Sequence, residues 1–219
     1  MSSRCRGSSS HNESARPLQC FEPPVNIRRP SALLPRTPDQ ILGPFYPLNR
    51  TADETTDLAK SPSRPGRADG ELLKVAGQVL TPTGRPVAGA RVEIWQANSL
   101  GKYRHPSDTT PVPIDPNFDG FAVLKTDRQG RYEFRTIKPG AYRTSHGDIR
   151  PPHIHFMVDF GADRLITQLY FAGEPGNATD RWLQAAPQPD LLIVSLEDCA
   201  PGSSFASRMA KFNIILQIE

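Results

Sequence analysis

The run Ala90-Arg91-Val92-Glu93-Ile94-Trp95 alternates apolar and polar side chains at period two, the pattern of a strand with one buried face. Short runs of similar character recur along the chain, each closed by glycine, proline, asparagine or aspartate. With 23 prolines and 16 glycines in 219 residues, little room is left for apolar periodicity of helical length. Strands are expected at 74–80, 90–95, 153–160, 165–171, 191–196 and 211–218. Residues 125–134 read as a hairpin turning at Gln129-Gly130. Thr37-Pro38-Asp39-Gln40 suits a short helical turn with Thr37 as cap, and 178–185 is a second helix candidate. The predicted fold is an all-β, antiparallel β-sandwich with long ordered loops over residues 39–219. A flexible, extended N-terminal arm, residues 1–38, precedes it.

Charge and cysteine exclude several function classes. The formal charge of +3 is concentrated in residues 1–36, where six arginines face only Glu13 and Glu22. The arm lacks a folded reader with interleaved aromatics, so a solvated arm is expected and not a nucleic-acid reader. Cys5, Cys20 and Cys199 are odd in number and widely spaced, which fits neither a disulfide framework nor a zinc–cysteine site. The first residues lack the apolar core of a signal peptide. No apolar run reaches the roughly 18 residues of a membrane span, so a cytoplasmic location is expected.

The chemistry-bearing stretch is Tyr142 to His155. His153 and His155 stand two apart at the start of a predicted strand, which turns both imidazoles to one side. Paired imidazoles suit a first-row metal, although such a pair is more often structural, and further ligands must come from elsewhere. Arg150, before Pro151, is held extended and would favour an anionic ligand. The excursion from Gln96 to Leu124 carries Tyr103, Asp108, Asp115 and Phe118, and a loop of that length in a sandwich is usually functional. The polar stretch 49–72 reads as a surface loop, and its arginines between Arg50 and Arg67 could meet an acidic substituent.

These segments together resemble the intradiol ring-cleavage dioxygenases. The matching residues are Val92 to Asn98, Gly101-Lys102-Tyr103-Arg104-His105, Asp115-Pro116-Asn117-Phe118, Phe134 to Tyr142, Arg150 to Phe156 and Leu165 to Phe171. Gly43-Pro44-Phe45-Tyr46 is a looser match ahead of them. The resemblance implies a non-haem Fe(III) cofactor held by Tyr103, Tyr142, His153 and His155. Phenolate is a hard anionic donor suited to ferric iron. It further implies that a catechol binds the iron through both oxygens and displaces Tyr142. Both atoms of O2 then enter between the hydroxylated carbons, giving a cis,cis-muconate. Arg150 matches the arginine that stabilises charge on substrate. Gln168 matches a position behind the ligands, and Trp95 is expected to pack beside the site. The implied partners are a protocatechuate-like catechol and O2, with assembly into a homo-oligomer or with a related chain.

The chain departs from that pattern in three places. The segment from Tyr142 to Arg150 is shorter than in family members that cleave protocatechuate, and Thr144 and Ile149 replace tryptophans there. The arm holds no tyrosine before Tyr46 to meet a substrate carboxylate, and the stretch after Asp180 matches loosely. Two other readings stand beside this one. A transthyretin-like sandwich module shares the Gly and turn pattern of 77–92 and 126–134. Zinc or Fe(II) at His153 and His155 would need a carboxylate, for which Asp148 and Asp159 are nearest in sequence.

Overall fold

The computed structural model describes residues 33–48, 56–60, 64–144, 147–199 and 206–218. The expected arm is therefore described only from Leu33, and Cys5, Cys20 and Arg50 lie outside the described residues. The strands are β1 (Leu72–Leu80), β2 (Arg91–Trp95), β3 (Phe121–Lys125), β4 (Arg131–Ile137), β5 (Tyr142–Arg143), β6 (Ile149–Arg150), β7 (His153–Phe160) and β8 (Asp163–Phe171). After α1 (Arg181–Gln184), the single α-helix among the described residues, come β9 (Ile193–Val194), β10 (Leu196–Asp198), β11 (Arg208–Lys211) and β12 (Ile214–Ile215). One sheet runs β10-β11-β1-β12 with β4 also on β1; the other runs β3-β2-β7-β8-β9; β5 and β6 form a small ribbon.

The sandwich is antiparallel in its body, and its late strands make it mixed. β11 and β12 pair with β1 in parallel, as does β9 with β8. Between the sheets, Phe156 of β7 meets Phe134 and Tyr132 of β4 at 6.1 and 6.0 Å and Phe212 at 5.3 Å. Each fully buried side chain of this size contributes about 1.5–3 kcal/mol. Gly77 lets the next segment close on β1, because a Cβ there would stand 1.8 Å from the Phe212 carbonyl oxygen. That same oxygen accepts the Tyr132 hydroxyl at 2.6 Å.

Strand β7 is buried on both faces, and this positions the site. Ile154, Phe156 and Val158 enter the inter-sheet core, while Met157 joins Trp95, Ala97, Tyr103 and Tyr142 in a second cluster. By the period of two, His153 and His155 share the face of Met157. In a two-layer sandwich that face would meet water. Here the 96–120 excursion and the segment 33–48 cover it. The latter runs beside the part of β8 that β9 leaves open, with Gln40 N–H donating to Ile166 O at 2.7 Å and Thr167 Oγ1 to Pro38 O at 2.8 Å.

Three local expectations are corrected. No helical turn forms at Thr37; its hydroxyl accepts Ile215 N–H at 2.9 Å, so the segment stays extended and ties to the C-terminal strands. Residues 125–134 turn at Gln129-Gly130, with Asp127 Oδ1 accepting the N–H groups of Gln129 and Arg131. They make no hairpin, because β3 pairs with β2 and β4 with β1, so the turn passes the chain between sheets. Within the supposed surface loop, Leu58 and Ala59 are buried, anchored by Leu58 N–H to Arg135 O at 2.8 Å.

Candidate metal centre

Cross-strand register builds the site in rows. Trp95 of β2, His155 of β7 and Gln168 of β8 stand opposite one another, and His153 stands opposite Tyr170. Trp95 stacks on His155 with centroids 4.7 Å apart and 13° between planes, packing beside the site as expected. The ribbon places Tyr142 opposite Arg150. Tyr103 arrives from the excursion, where Asp108 Oδ2 accepts its N–H at 2.8 Å and Lys102 Nζ binds Asp108 Oδ1 at 3.1 Å. Burial opposes the charge of Asp108, but bonds from Thr110, Tyr103 N–H and Lys102 prevail and hold its pKa below the ordinary value.

The four expected ligands converge. Tyr103 and Tyr142 meet edge to face at 5.4 Å, Tyr142 lies 5.7 Å from His153, and Tyr103 lies 6.3 Å from His155. His153 Nε2 and His155 Nε2 are 3.2 Å apart. His153 Nδ1 is 2.7 Å from the Pro151 carbonyl oxygen, which can only accept, so the proton sits on Nδ1 and the Nε2 lone pair faces the site. His155 Nδ1 is buried without a hydrogen-bond partner among the described residues. Burial first, then the Arg150 charge, drives both imidazoles well below their usual pKa. They are neutral, the form that binds metal.

The donor set fits a hard, highly charged ion. Burial raises the pKa of Tyr103 well above normal and, against the pull of Arg150, raises that of Tyr142. Both are phenols unless a strong cation ionises them. Among the described residues no three His, Cys, Asp or Glu side chains are grouped to hold a metal. The groups that accompany the histidines are tyrosines, which does not favour the zinc or Fe(II) reading with its carboxylate.

Arg150 is buried and held from several sides. Its Nε donates to Asp180 Oδ2 at 2.5 Å, and one Nη donates to Gln168 Oε1 at 2.8 Å and Tyr170 Oη at 2.6 Å. The acid is Asp180 rather than its sequence neighbour Asp148. Gln168 does not stand free at the site; its amide donates to Ile41 O at 2.9 Å, so it links Arg150 to the covering segment. Sequence reasoning missed Asp180, Tyr170 and Trp182. Asp180 had a readable signal as the cap of α1, where its Oδ1 accepts Leu183 N–H at 2.8 Å, but nothing in the sequence tied it to Arg150.

A pocket of about 690 Å³ opens beside Tyr142 and Arg150, walled by Pro44, Phe45, Pro111 and Trp182 among others. Phe45 packs on Tyr103 at 4.6 Å. Its segment approaches closely because Gly43 has φ +76° and no Cβ; one would stand 3.3 Å from His155 Cε1. Gly43→Ala is expected to lose about 1–2 kcal/mol from the left-handed backbone alone, read as a lowered melting temperature.

A pH dependence follows from the histidines. Their folded pKa values lie below the unfolded value, so the unfolded chain binds more protons under acid conditions. The metal-free protein should keep this stability above about pH 6.5 and lose it as pH falls toward the folded values. The slope is at most about 1.4 kcal/mol per pH unit for each histidine. Urea titrations from pH 8 to 5 check it; a flat profile would show the imidazoles to be accessible.

Comparison with known proteins agrees with the geometry. The family model described as "Dioxygenase" matches residues 41–218. The chain is 42% identical over 182 residues to the protocatechuate 3,4-dioxygenase beta chain of Burkholderia cepacia, covering 80% of this chain and 76% of that one. It is 38% identical over 154 residues to catechol 1,2-dioxygenase 1 of Acinetobacter lwoffii, covering 64% of this chain but 47% of that enzyme, about half its length. The dioxygenase domain of a carbohydrate-binding fusion protein from Streptomyces sp. SirexAA-E superposes with a TM-score of 0.62 at 29% identity, covering 84% of this chain and all of that one. The chain belongs to the intradiol ring-cleaving dioxygenases, a family of non-haem iron enzymes.

Proposed function

We propose that this chain binds ferric iron through Tyr103, Tyr142, His153 and His155 and cleaves a protocatechuate-like catechol between its hydroxylated carbons, taking up both atoms of O2. The observation that carries the reading is the convergence of two buried neutral imidazoles, Nε2 to Nε2 at 3.2 Å, beneath two buried tyrosines. A transthyretin-like binding module has no use for that set.

Ferric iron, when bound, supplies the Lewis acidity that ionises the catechol and shifts electron density so that its ring becomes open to O2. The chain does the rest. The Pro151 carbonyl fixes the tautomer of His153, and Trp95 fixes the ring of His155. Of the four proposed ligand side chains Tyr142 is the one that lines the pocket, and its phenolate oxygen is the base for a catechol proton. Arg150 opposes negative charge as it grows on the substrate. Its guanidinium cannot swing away, because Asp180, Gln168 and Tyr170 each hold it. Preorganised donors of this kind are the main electrostatic lever in such sites.

A cytoplasmic setting fits these roles, and no helix among the described residues is long and apolar enough to cross a membrane. Since one relative is the beta chain of its enzyme, assembly with copies of itself or with a related chain is part of this proposal. Incubation with protocatechuate or catechol under ¹⁸O2 tests the reaction. The expected product is a cis,cis-muconate carrying both labelled atoms. A semialdehyde from cleavage beside the diol, or no oxygen uptake after iron loading, would overturn it.

A further inference from the structure

The lining of the pocket beside Tyr142 is unbalanced in charge, with a buried cation and two exposed ones. Three arginines line it, Arg143, Arg150 and Arg181, against one acid, Asp108. Asp108 is already committed to Lys102, to Tyr103 N–H and to Thr110. Arg150 already has an ion-pair partner in Asp180. Arg143 and Arg181 have no carboxylate within ion-pair distance among the described residues. The one hydrogen bond of the Arg143 guanidinium there goes to the Gly147 carbonyl at 2.7 Å. The arginines of the 56–72 stretch that might have served this purpose, Arg64 and Arg67, do not line the pocket, and Arg64 pairs with Asp119 at 2.7 Å.

Trp182 connects the inner and outer cations. The guanidinium of Arg150 lies 4.3 Å from its ring centroid and that of Arg181 lies 4.1 Å away. One indole thus carries two cations, of which only the inner has its counter-charge. An anion at the mouth would relieve the repulsion between them and would meet Arg143 as well. The pocket is also far roomier than one dihydroxyphenyl ring requires, so a substituent can extend from the diol end toward the mouth.

Resting on the function proposed above, we infer that Arg143 and Arg181 form a subsite for an anionic substituent, a carboxylate, on the catechol ring. Recognition there is by charge and by the guanidinium fork rather than by burial. It selects among catechols and leaves the diol chemistry to the inner site.

The test compares 3,4-dihydroxybenzoate with its neutral isostere 3,4-dihydroxybenzamide. Anaerobic calorimetry measures binding to the full chain as purified, and oxygen uptake with unsubstituted catechol is followed separately. The wild type should bind the carboxylate about tenfold more tightly than the amide, with the margin shrinking at high salt. The double variant Arg143→Gln/Arg181→Gln should bring the ratio near one, and Arg143→Lys/Arg181→Lys should keep most of it. Both side chains are exposed, so these changes do not threaten the core. Equal binding of the two ligands by the wild type, or a preference that survives in the glutamine variant, would overturn the subsite. Failure of the ring-cleavage reading shows elsewhere, as absent uptake with catechol, while the binding ratio still decides the subsite.

Discussion

Arg150→Ala should cost the protein both stability and turnover. The substitution strips Asp180, itself fully buried, of its cation and leaves Gln168 and Tyr170 without their shared donor. Breaking a buried ion pair from one side costs about 3–5 kcal/mol, most of it the penalty of the stranded carboxylate. Loss of the preorganised charge should lower kcat by about 10²–10³-fold. Arg150→Lys separates the two effects. It restores a charge but not a fork that reaches Asp180, Gln168 and Tyr170 together, so stability should recover further than activity. Urea melts beside kcat/KM measure both; an alanine variant that melts like the wild type would mean the pair adds nothing to the fold.

His155→Ala should abolish iron retention. Even a change behind a metal ligand commonly costs about 10–100-fold in affinity or activity, and His155 is proposed as a ligand itself. Its removal also takes away the ring on which Trp95 stacks and frees the space that Gly43 closes. The purified variant should contain no stoichiometric iron and show no ring cleavage above background. Iron analysis by mass spectrometry, with a melt to confirm folding, decides the matter. A folded variant with full iron would remove His155 from the ligand set.

The parts of this molecule legible in its sequence are those fixed by local pattern. Strands form at 91–95 and at His-x-His as expected, because their apolar and β-branched residues favour extended chain locally. The expected single buried face at 90–95 is not found: Glu93 is fully buried, accepting the Tyr46 hydroxyl at 2.6 Å from the covering segment. The family resemblance was carried by short motifs, and the Tyr103, Tyr142, His153 and His155 side chains indeed meet. Partners set by long-range packing were not legible. Thr37 carries the residues of a helix cap, yet it bonds to Ile215 from the far end of the chain. Gln129-Gly130 has the chemistry of a hairpin turn, but each flanking strand finds a better partner in a different sheet. Asp148 is only two residues from Arg150 in sequence, yet the buried partner of Arg150 is Asp180, thirty residues away. The pocket mouth belongs to the same class, since Arg143 and Arg181 are 38 residues apart and only the fold brings both to one cavity.

The central claim is that Tyr103 and Tyr142 ionise onto ferric iron held by the two histidines. The visible spectrum of the aerobically purified, iron-loaded protein tests it most directly, recorded before and after anaerobic addition of protocatechuate or catechol and repeated for Tyr103→Phe and Tyr142→Phe. A broad tyrosinate-to-iron charge-transfer band that shifts on adding substrate, and weakens in each variant, is the expected result. A protein that stays colourless after iron loading, or whose band is untouched in both variants, would contradict the ligand set.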